Sequence, residues 1–437
     1  MYLADSRNGS GRPEGDGARW RTRGVPGTVF ALGAVSLITD VSAEMVTAVL
    51  PLYLAVGLGL PPVAYGLLDG TQNGVAALVR LLGGHLADRG GGRHKAVAAV
   101  GYTLSALCKP LLLIAHTVPA VVATIAVDRT GKGLRTAPRD AMISLAAEPG
   151  RRARAFGVHR AMDTAGALIG PLVAFGILQA TRAPLSTAGS TSAYEAVFVV
   201  SSCVAALGVV VLLLFVPRVR APAGPVAQLA QEPRLRDFAD LLKQRDMARL
   251  TCCSALLGLT ATSDGFLYLL MQRRFELPSQ WFPLLPLATA AAFLLLAIPV
   301  GALADRVGRR ATFLAGHVAL LAVYVLLAAT PATTVAVVPA VLILHGLFYA
   351  GTDGVLAATA GEAVPTAHQG SGIAVVGSGQ ALARIVGSLG FGAAWSLWGE
   401  RTAVVLAAAG LCLSLAACRV LLSPRTAPVR TRRPGSP

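Results

Sequence analysis

Charge is the scarcest ingredient of this chain. Only 14% of its 437 residues are Asp, Glu, Lys or Arg, against about 25% in ordinary globular domains. Aromatic residues are also few, at 6%. With 54% hydrophobic residues and a mean hydropathy of +0.63, a soluble protein of this length has no way to hide its apolar surface, which argues against a cytosolic enzyme. The six cysteines, Cys108, Cys203, Cys252, Cys253, Cys412 and Cys418, all fall in apolar runs and form no C-x-x-C, so neither a disulfide framework nor a metal site is expected. The chain lacks a Walker lysine motif, an H-E-x-x-H and a serine nucleophile elbow, so no ATP hydrolysis, other enzyme activity or cofactor is expected. Residues 1–26 are polar, with no signal-peptide core ahead of the first apolar run, and no cleavage is expected.

What abounds is Ala, Leu, Val and glycine; the 47 glycines suit close helix packing in lipid. A spanning helix needs about 20 apolar residues. Twelve such stretches are predicted, at 28–57, 62–86, 95–115, 118–144, 155–180, 194–217, 247–270, 281–304, 311–331, 333–357, 371–397 and 402–422. The fold class is therefore an all-α membrane protein with twelve transmembrane helices. The formal charge of +16 comes mostly from Arg in short loops and tails. It is concentrated on the side of the two termini, which places both termini in the cytoplasm and the chain in the cytoplasmic (inner) membrane. Anionic lipid, not nucleic acid, is the partner such charge suits.

A polar, basic stretch at 218–246 divides six spans from six. The predicted organisation is a cytoplasmic tail at 1–26, a six-helix bundle at 27–217, a linker at 218–246, a second six-helix bundle at 247–423 and a tail at 424–437. An internal repeat supports the division. Gly84-His-Leu-Ala-Asp88-Arg89-Gly-Gly-Gly-Arg93 follows the second span, and Gly301-Ala-Leu-Ala-Asp305-Arg306-Val-Gly308-Arg309-Arg310 follows the eighth, at equivalent loops. Glycine permits a tight turn. The Asp can face a helix N-terminus or an Arg, and the arginines anchor the loop to headgroups.

On these residues the chain resembles the major facilitator superfamily over about 28 to 422. The G-x-x-x-D-R-x-G-R-R turn is that superfamily's signature; the copy at 301–310 matches fully, and the copy at 84–93 has Gly92 in place of the first paired Arg. The resemblance implies two six-helix bundles around a central cavity, alternating access and, by family default, a monomer. Arg129-Thr-Gly-Lys132-Gly133 is similar to the R-x-x-Q-G pattern of the fourth helix in proton-driven members, with Lys132 in place of Gln. Gly166-Ala-Leu-Ile-Gly170-Pro171 resembles the fifth-helix signature of antiporters, where small residues let helices pack closely.

Ionisable groups within spans are costly and by default functional. Asp40 and Glu44 are four apart on span 1 and share a face. Asp40 lies roughly 20 Å along its span at 1.5 Å per residue. Either this pair takes up and releases a proton, or one or both members pair statically with an Arg of span 4 or 5. Asp128, Lys132, Arg135 and Arg139 form one stripe on span 4, which must turn away from lipid. Asp40, Glu44, Asp128, Arg129, Lys132 and Asp163 are the proton-coupling candidates. His159, Arg160, Asp264, His345, Gln380 and Arg384 are the substrate-cavity candidates. The cytoplasmic gate is assigned to Gly84, Asp88, Arg89 and Arg93 of the first turn, to Arg135, Arg139 and Asp140 of span 4, and to Gly301, Asp305, Arg306, Arg309 and Arg310 of the second turn. Asp69 is read as an outer gate residue, and Arg80 and Lys109 as snorkelling cations.

These readings predict a secondary active transporter of a small organic solute, driven by the proton gradient in the efflux direction. Its partners are the lipid bilayer, the solute and protons. A second reading is proton-coupled uptake of an organic anion, with Arg129, Lys132, Arg160 and Arg384 on the substrate. A third is a non-transporting membrane receptor or scaffold, for which the gate turns would be dispensable.

Overall fold

The computed structural model describes residues 25–89, 94–148, 151–181, 191–217, 243–331, 333–353, 355–356, 359 and 369–421. Among these, thirteen α-helices follow one another and no strand occurs. They are α1 Gly27–Leu52, α2 Pro62–Arg89, α3 His94–Leu111, α4 Val118–Ala146, α5 Arg152–Thr181, α6 Ser192–Phe215, α7 Arg245–Thr260, α8 Asp264–Arg274, α9 Leu284–Val307, α10 Arg309–Ala329, α11 Val338–Thr352, α12 Gln369–Trp398 and α13 Glu400–Leu421. A hydrocarbon environment demands this economy, because a helix satisfies its own backbone groups. Among the described residues, eight segments are long and apolar enough to cross a membrane; α2, α3, α4 and α12 fall outside that set. The 29-residue α4 has the length, but its charges leave no apolar window. Apolar side chains also cover the exterior: on α9, Leu295 is 78% and Ile298 82% exposed.

The chain divides into two compact units. The first holds α1, α3 to α6, α2 from Val75 onward and the 279–287 connection; the second holds α2 up to Gly74, α7, α8, α9 from Ala288, and α10 to α13. In the first unit α1 packs on α5 and α6, and α3 on α4 and α6. The same pattern recurs in the second, where α7 packs on α12 and α13, and α10 on α11 and α13. The sequence repeat is thus a repeat of packing. At the start of α1 the first unit closes around Val29, Leu32, Tyr102, Met142, Ile143 and Leu212, all buried.

One difference from the sequence reading concerns the span at 247–270, which is two half-helices. The chain leaves α7 at Thr260, runs extended through Ala261 and Ser263, and restarts as α8 at Asp264. The signal is present in Ser263-Asp264-Gly265: Ser is a preferred N-cap and Asp suits a first helical turn. The break frees backbone groups that lipid cannot satisfy. The buried Tyr324 hydroxyl of α10 serves two of them, accepting from Thr262 N at 2.7 Å and donating to Thr260 O at 3.0 Å. Tyr324→Phe should therefore destabilise the protein by about 1–3 kcal/mol, because two buried partners are left unmet. The test is thermal unfolding of the purified protein, and a melting temperature equal to wild type would contradict the assignment. The end of α8 is also tied down, as Arg274 donates to Thr330 O and Ala328 O at the C-terminus of α10.

Candidate functional site

In the first unit α4 brings its charged stripe inward. Thr124, Thr130 and Thr136 fold their hydroxyls back onto carbonyls four residues earlier, which removes polar groups from the rest of the helix surface. Glycine lets α3 and α4 approach: a Cβ on Gly131 would stand 2.6 Å from Gly101 O and 2.7 Å from Ser105 Oγ. At this separation Lys109 of α3 reaches Asp128 of α4, Nζ to Oδ1 3.1 Å, with side chains only 6% and 13% exposed. Lys109 is therefore not a snorkelling cation, as the sequence suggested; it is one half of a buried ion pair. Beside it, Thr47, Asp128 and Arg129 line a crevice large enough for about one water molecule.

A second net joins α1, α4 and α5. Arg135 lies over the Tyr102 ring at 4.4 Å, and its Nη2 is 3.5 Å from Asp40 Oδ1. Arg139 Nε donates to Asp140 Oδ1 at 3.0 Å, and its Nη1 donates to Ser36 Oγ at 3.2 Å and lies 3.6 Å from Asp163 Oδ1. Ser36 Oγ in turn is 3.0 Å from Nε2 of the buried His159. Asp163 is within hydrogen-bonding reach of Asp40. The acid that faces Asp40 is thus Asp163 of α5 and not Glu44, a correction to the pairing read from i, i+4 spacing. Glu44 is half-buried against α5 beside Gly170 and, among the described residues, makes no hydrogen bond or ion pair. Lys132 is half-buried near Asp40 and Asp128, and its ammonium has no ion-pair or hydrogen-bond partner among the described residues. Arg160 reaches Asp163 Oδ2 at 3.8 Å with its side chain 79% exposed.

Gly166, Gly170 and Pro171 seat α5 on α1. A Cβ on Gly166 would stand 2.5 Å from Leu37 O, and one on Gly170 2.7 Å from Glu44 Cβ and 2.8 Å from Val41 O. Pro171 lies buried within the helix.

The second unit holds a separate polar cluster. Asp264 opens α8, and its Oδ1 accepts a 2.6 Å hydrogen bond from the Tyr349 hydroxyl of α11. His345 Nε2 lies 3.3 Å from the same oxygen without hydrogen-bond geometry. His345 itself is buried and stacks on Phe348. Asp69, on the stretch of α2 that belongs to this unit, is within hydrogen-bonding reach of Ser263. Arg384 of α12 faces this group, yet makes no hydrogen bond or ion pair among the described residues. Gln380, one turn earlier, packs against Gly258 of α7. Tyr65, Phe266, Phe391 and Trp395 form an adjoining aromatic cluster, with Phe266 4.8 Å from Tyr65 and 5.0 Å from Phe391 between ring centres.

Of the gate residues, Arg93, the surroundings of Gly84 and the side chains of Asp88 and Arg89 lie outside what the structure describes, as does the side chain of Arg80. In the second turn Gly301 is helical, and Gly308 makes the reversal at φ +101°, a conformation open to glycine. Asp305 pairs with Arg309 at 3.7 Å, while Arg306 and Arg310 are exposed. Sequence reasoning missed three groups now placed in or beside the two polar clusters: Lys109, Tyr349 and Ser263. Only Ser263 carried a local signal, the N-cap.

These features define a multi-pass membrane protein, helical and without strands among the described residues, with clusters of ionisable groups held between its helices. The model described as the Major Facilitator Superfamily matches residues 32–388 and 282–437, and the chain belongs to that family. It is 35% identical over 142 residues to an uncharacterised MFS-type transporter of Methanocaldococcus jannaschii, a match covering 32% of this chain and 35% of that protein. It is 36% identical over 179 residues to an uncharacterised protein of Mycobacterium tuberculosis, covering 41% of each. The chain thus spans well under half the length of the curated relatives it matches. Among solved structures it is similar to the nucleoside transporter NupG, with a TM-score of 0.76 at 16% identity over 91% of this chain and 100% of that one. It is also similar to a POT family transporter in complex with 5-aminolevulinic acid, with a TM-score of 0.72 at 14% identity over 90% and 96%. At these identities the likeness is one of fold.

Proposed function

We propose that the protein is a secondary active transporter that exports a small organic solute across the cytoplasmic membrane by alternating access, driven by proton entry. It acts as a monomer with both termini in the cytoplasm. The observation that carries this reading is the net around Asp40. One acid of α1 sits between Arg135 and Lys132 of α4 and Asp163 of α5, inside a bundle where charge is costly. A proton delivered to Asp40 or Asp163 removes a charge that faces Arg135 or Arg139, and so loosens the tie of α1 or α5 to α4. A proton can thereby bias one arrangement of the helices over another.

The test is solute flux in proteoliposomes under an imposed pH gradient. Asp40→Asn keeps the side-chain shape and should bring gradient-driven flux to background, while solute exchange without a gradient persists. Absence of gradient-driven flux for every solute in a broad panel would overturn the proposal. Proton-coupled uptake of an organic anion is the second reading. It draws on the Lys132 ammonium and the Arg384 guanidinium, which lie near Asp40 and Asp264 but close no ion pair among the described residues. Solute and protons moving in the same direction would select it.

A further inference from the structure

The second unit brings an acid and a base near one another without closing them into an ion pair: Arg384 faces Asp264 but forms none with it among the described residues. Asp264 receives Tyr349 on Oδ1, yet its side chain remains 42% exposed, which leaves carboxylate acceptor capacity open. Arg384 has a buried Nε without a hydrogen bond and no ion pair among the described residues. Asp69 is also near it, within hydrogen-bonding reach of Ser263 and Ser388. Ser388, one turn along α12 from Arg384, and Thr289 of α9 are both buried, beside Asp69 and Tyr268 respectively. Buried polar groups are almost always satisfied, and unmatched charge within a membrane protein is costlier still.

A cation alone would answer Asp264 and set a like charge against Arg384. An anion alone would do the reverse. A ligand carrying both signs a few bonds apart answers both at once. Tyr349, His345, Tyr268 and Phe293 line the same region with ring faces: Tyr268 lies 6.0 Å from His345, and Phe293 6.5 Å from Tyr349, between ring centres. Such a wall suits an apolar or aromatic side chain. We propose that this cluster binds a small zwitterion of amino-acid type, with its ammonium on Asp264, its carboxylate on Arg384 and its side chain against the rings. This inference rests on the transporter reading above and names its substrate class.

The experiment measures binding to the full-length protein by thermal shift and by radioligand equilibrium. The probes are the proteinogenic amino acids, followed by the matched trio phenylalanine, phenethylamine and 3-phenylpropionate. At least one amino acid should bind. In the trio, the amine and the acid should each bind about tenfold or more weakly than the zwitterion, the loss of one charge-assisted contact. Arg384→Gln should bring the amine level with the zwitterion, and Asp264→Asn should do the same for the acid. Arg384→Lys, which keeps the charge, should restore part of the preference, and size-exclusion profiles identify any variant that fails to fold. The inference is overturned if no amino acid binds, if the amine or the acid binds as tightly as the zwitterion, or if both folded variants keep the wild-type ranking. Gradient-driven flux of a non-zwitterionic solute would leave the transporter reading standing and remove this one.

Discussion

Lys109→Met is expected to destabilise the protein by about 3–5 kcal/mol. The substitution preserves length and apolar contact but strands the Asp128 carboxylate, which is 13% exposed and otherwise beside Arg129. Breaking a buried pair from one side leaves an uncompensated charge, whereas removing both charges is often neutral. Asp128→Asn alone should have a comparable effect by stranding the ammonium. The double substitution should recover most of the loss. Thermal unfolding in detergent, arranged as a double-mutant cycle, separates the outcomes. Additive losses would show that the 3.1 Å contact does not couple the two residues.

The second large effect is expected at Gly170. A valine there would place Cβ against Glu44 Cβ at 2.7 Å, Val41 O at 2.8 Å and Met45 N at 3.0 Å. Two of the three are backbone atoms of α1 and cannot swing away, so α5 must shift off its partner. Overpacking commonly costs about 1–3 kcal/mol; here the obstacle is backbone, and loss of folded protein at growth temperature is the expected result. Gly176, two turns further along α5, is the control. Nothing lies within 4 Å of a Cβ there, so Gly176→Ala should be neutral or stabilising by up to about 1 kcal/mol through helix propensity. Folded yield and melting temperature of the two variants decide the matter. Equal behaviour would refute the close seat of α5 on α1.

The helices were legible because apolar length in lipid admits few alternatives, and the repeated turn revealed the twofold pattern before any contact was known. The tight seat of α5 was also legible, in the spacing of Gly166 and Gly170. Partner choice was not. The spacing of Asp40 and Glu44 fixes a shared face of α1, but it does not say which neighbouring helix turns an acid toward that face, and Asp163 is 123 residues further along. Lys109 read as a cation reaching for water because no local feature of α3 states that Asp128 stands opposite. The break before α8 was written in Ser263-Asp264-Gly265, yet a window of about 20 residues averages three polar positions into an apolar mean.

The polarity of α4 has a consequence for biogenesis. A segment bearing Asp128, Arg129, Lys132, Arg135, Arg139 and Asp140 does not partition into hydrocarbon by itself, since each such residue near a helix centre costs about 2.5–3.5 kcal/mol on insertion scales. The partners it needs are Lys109 of α3 and Asp40 of α1. The ribosome delivers both before α4, so the chain order itself supplies the escorts, and α4 enters the bilayer in company.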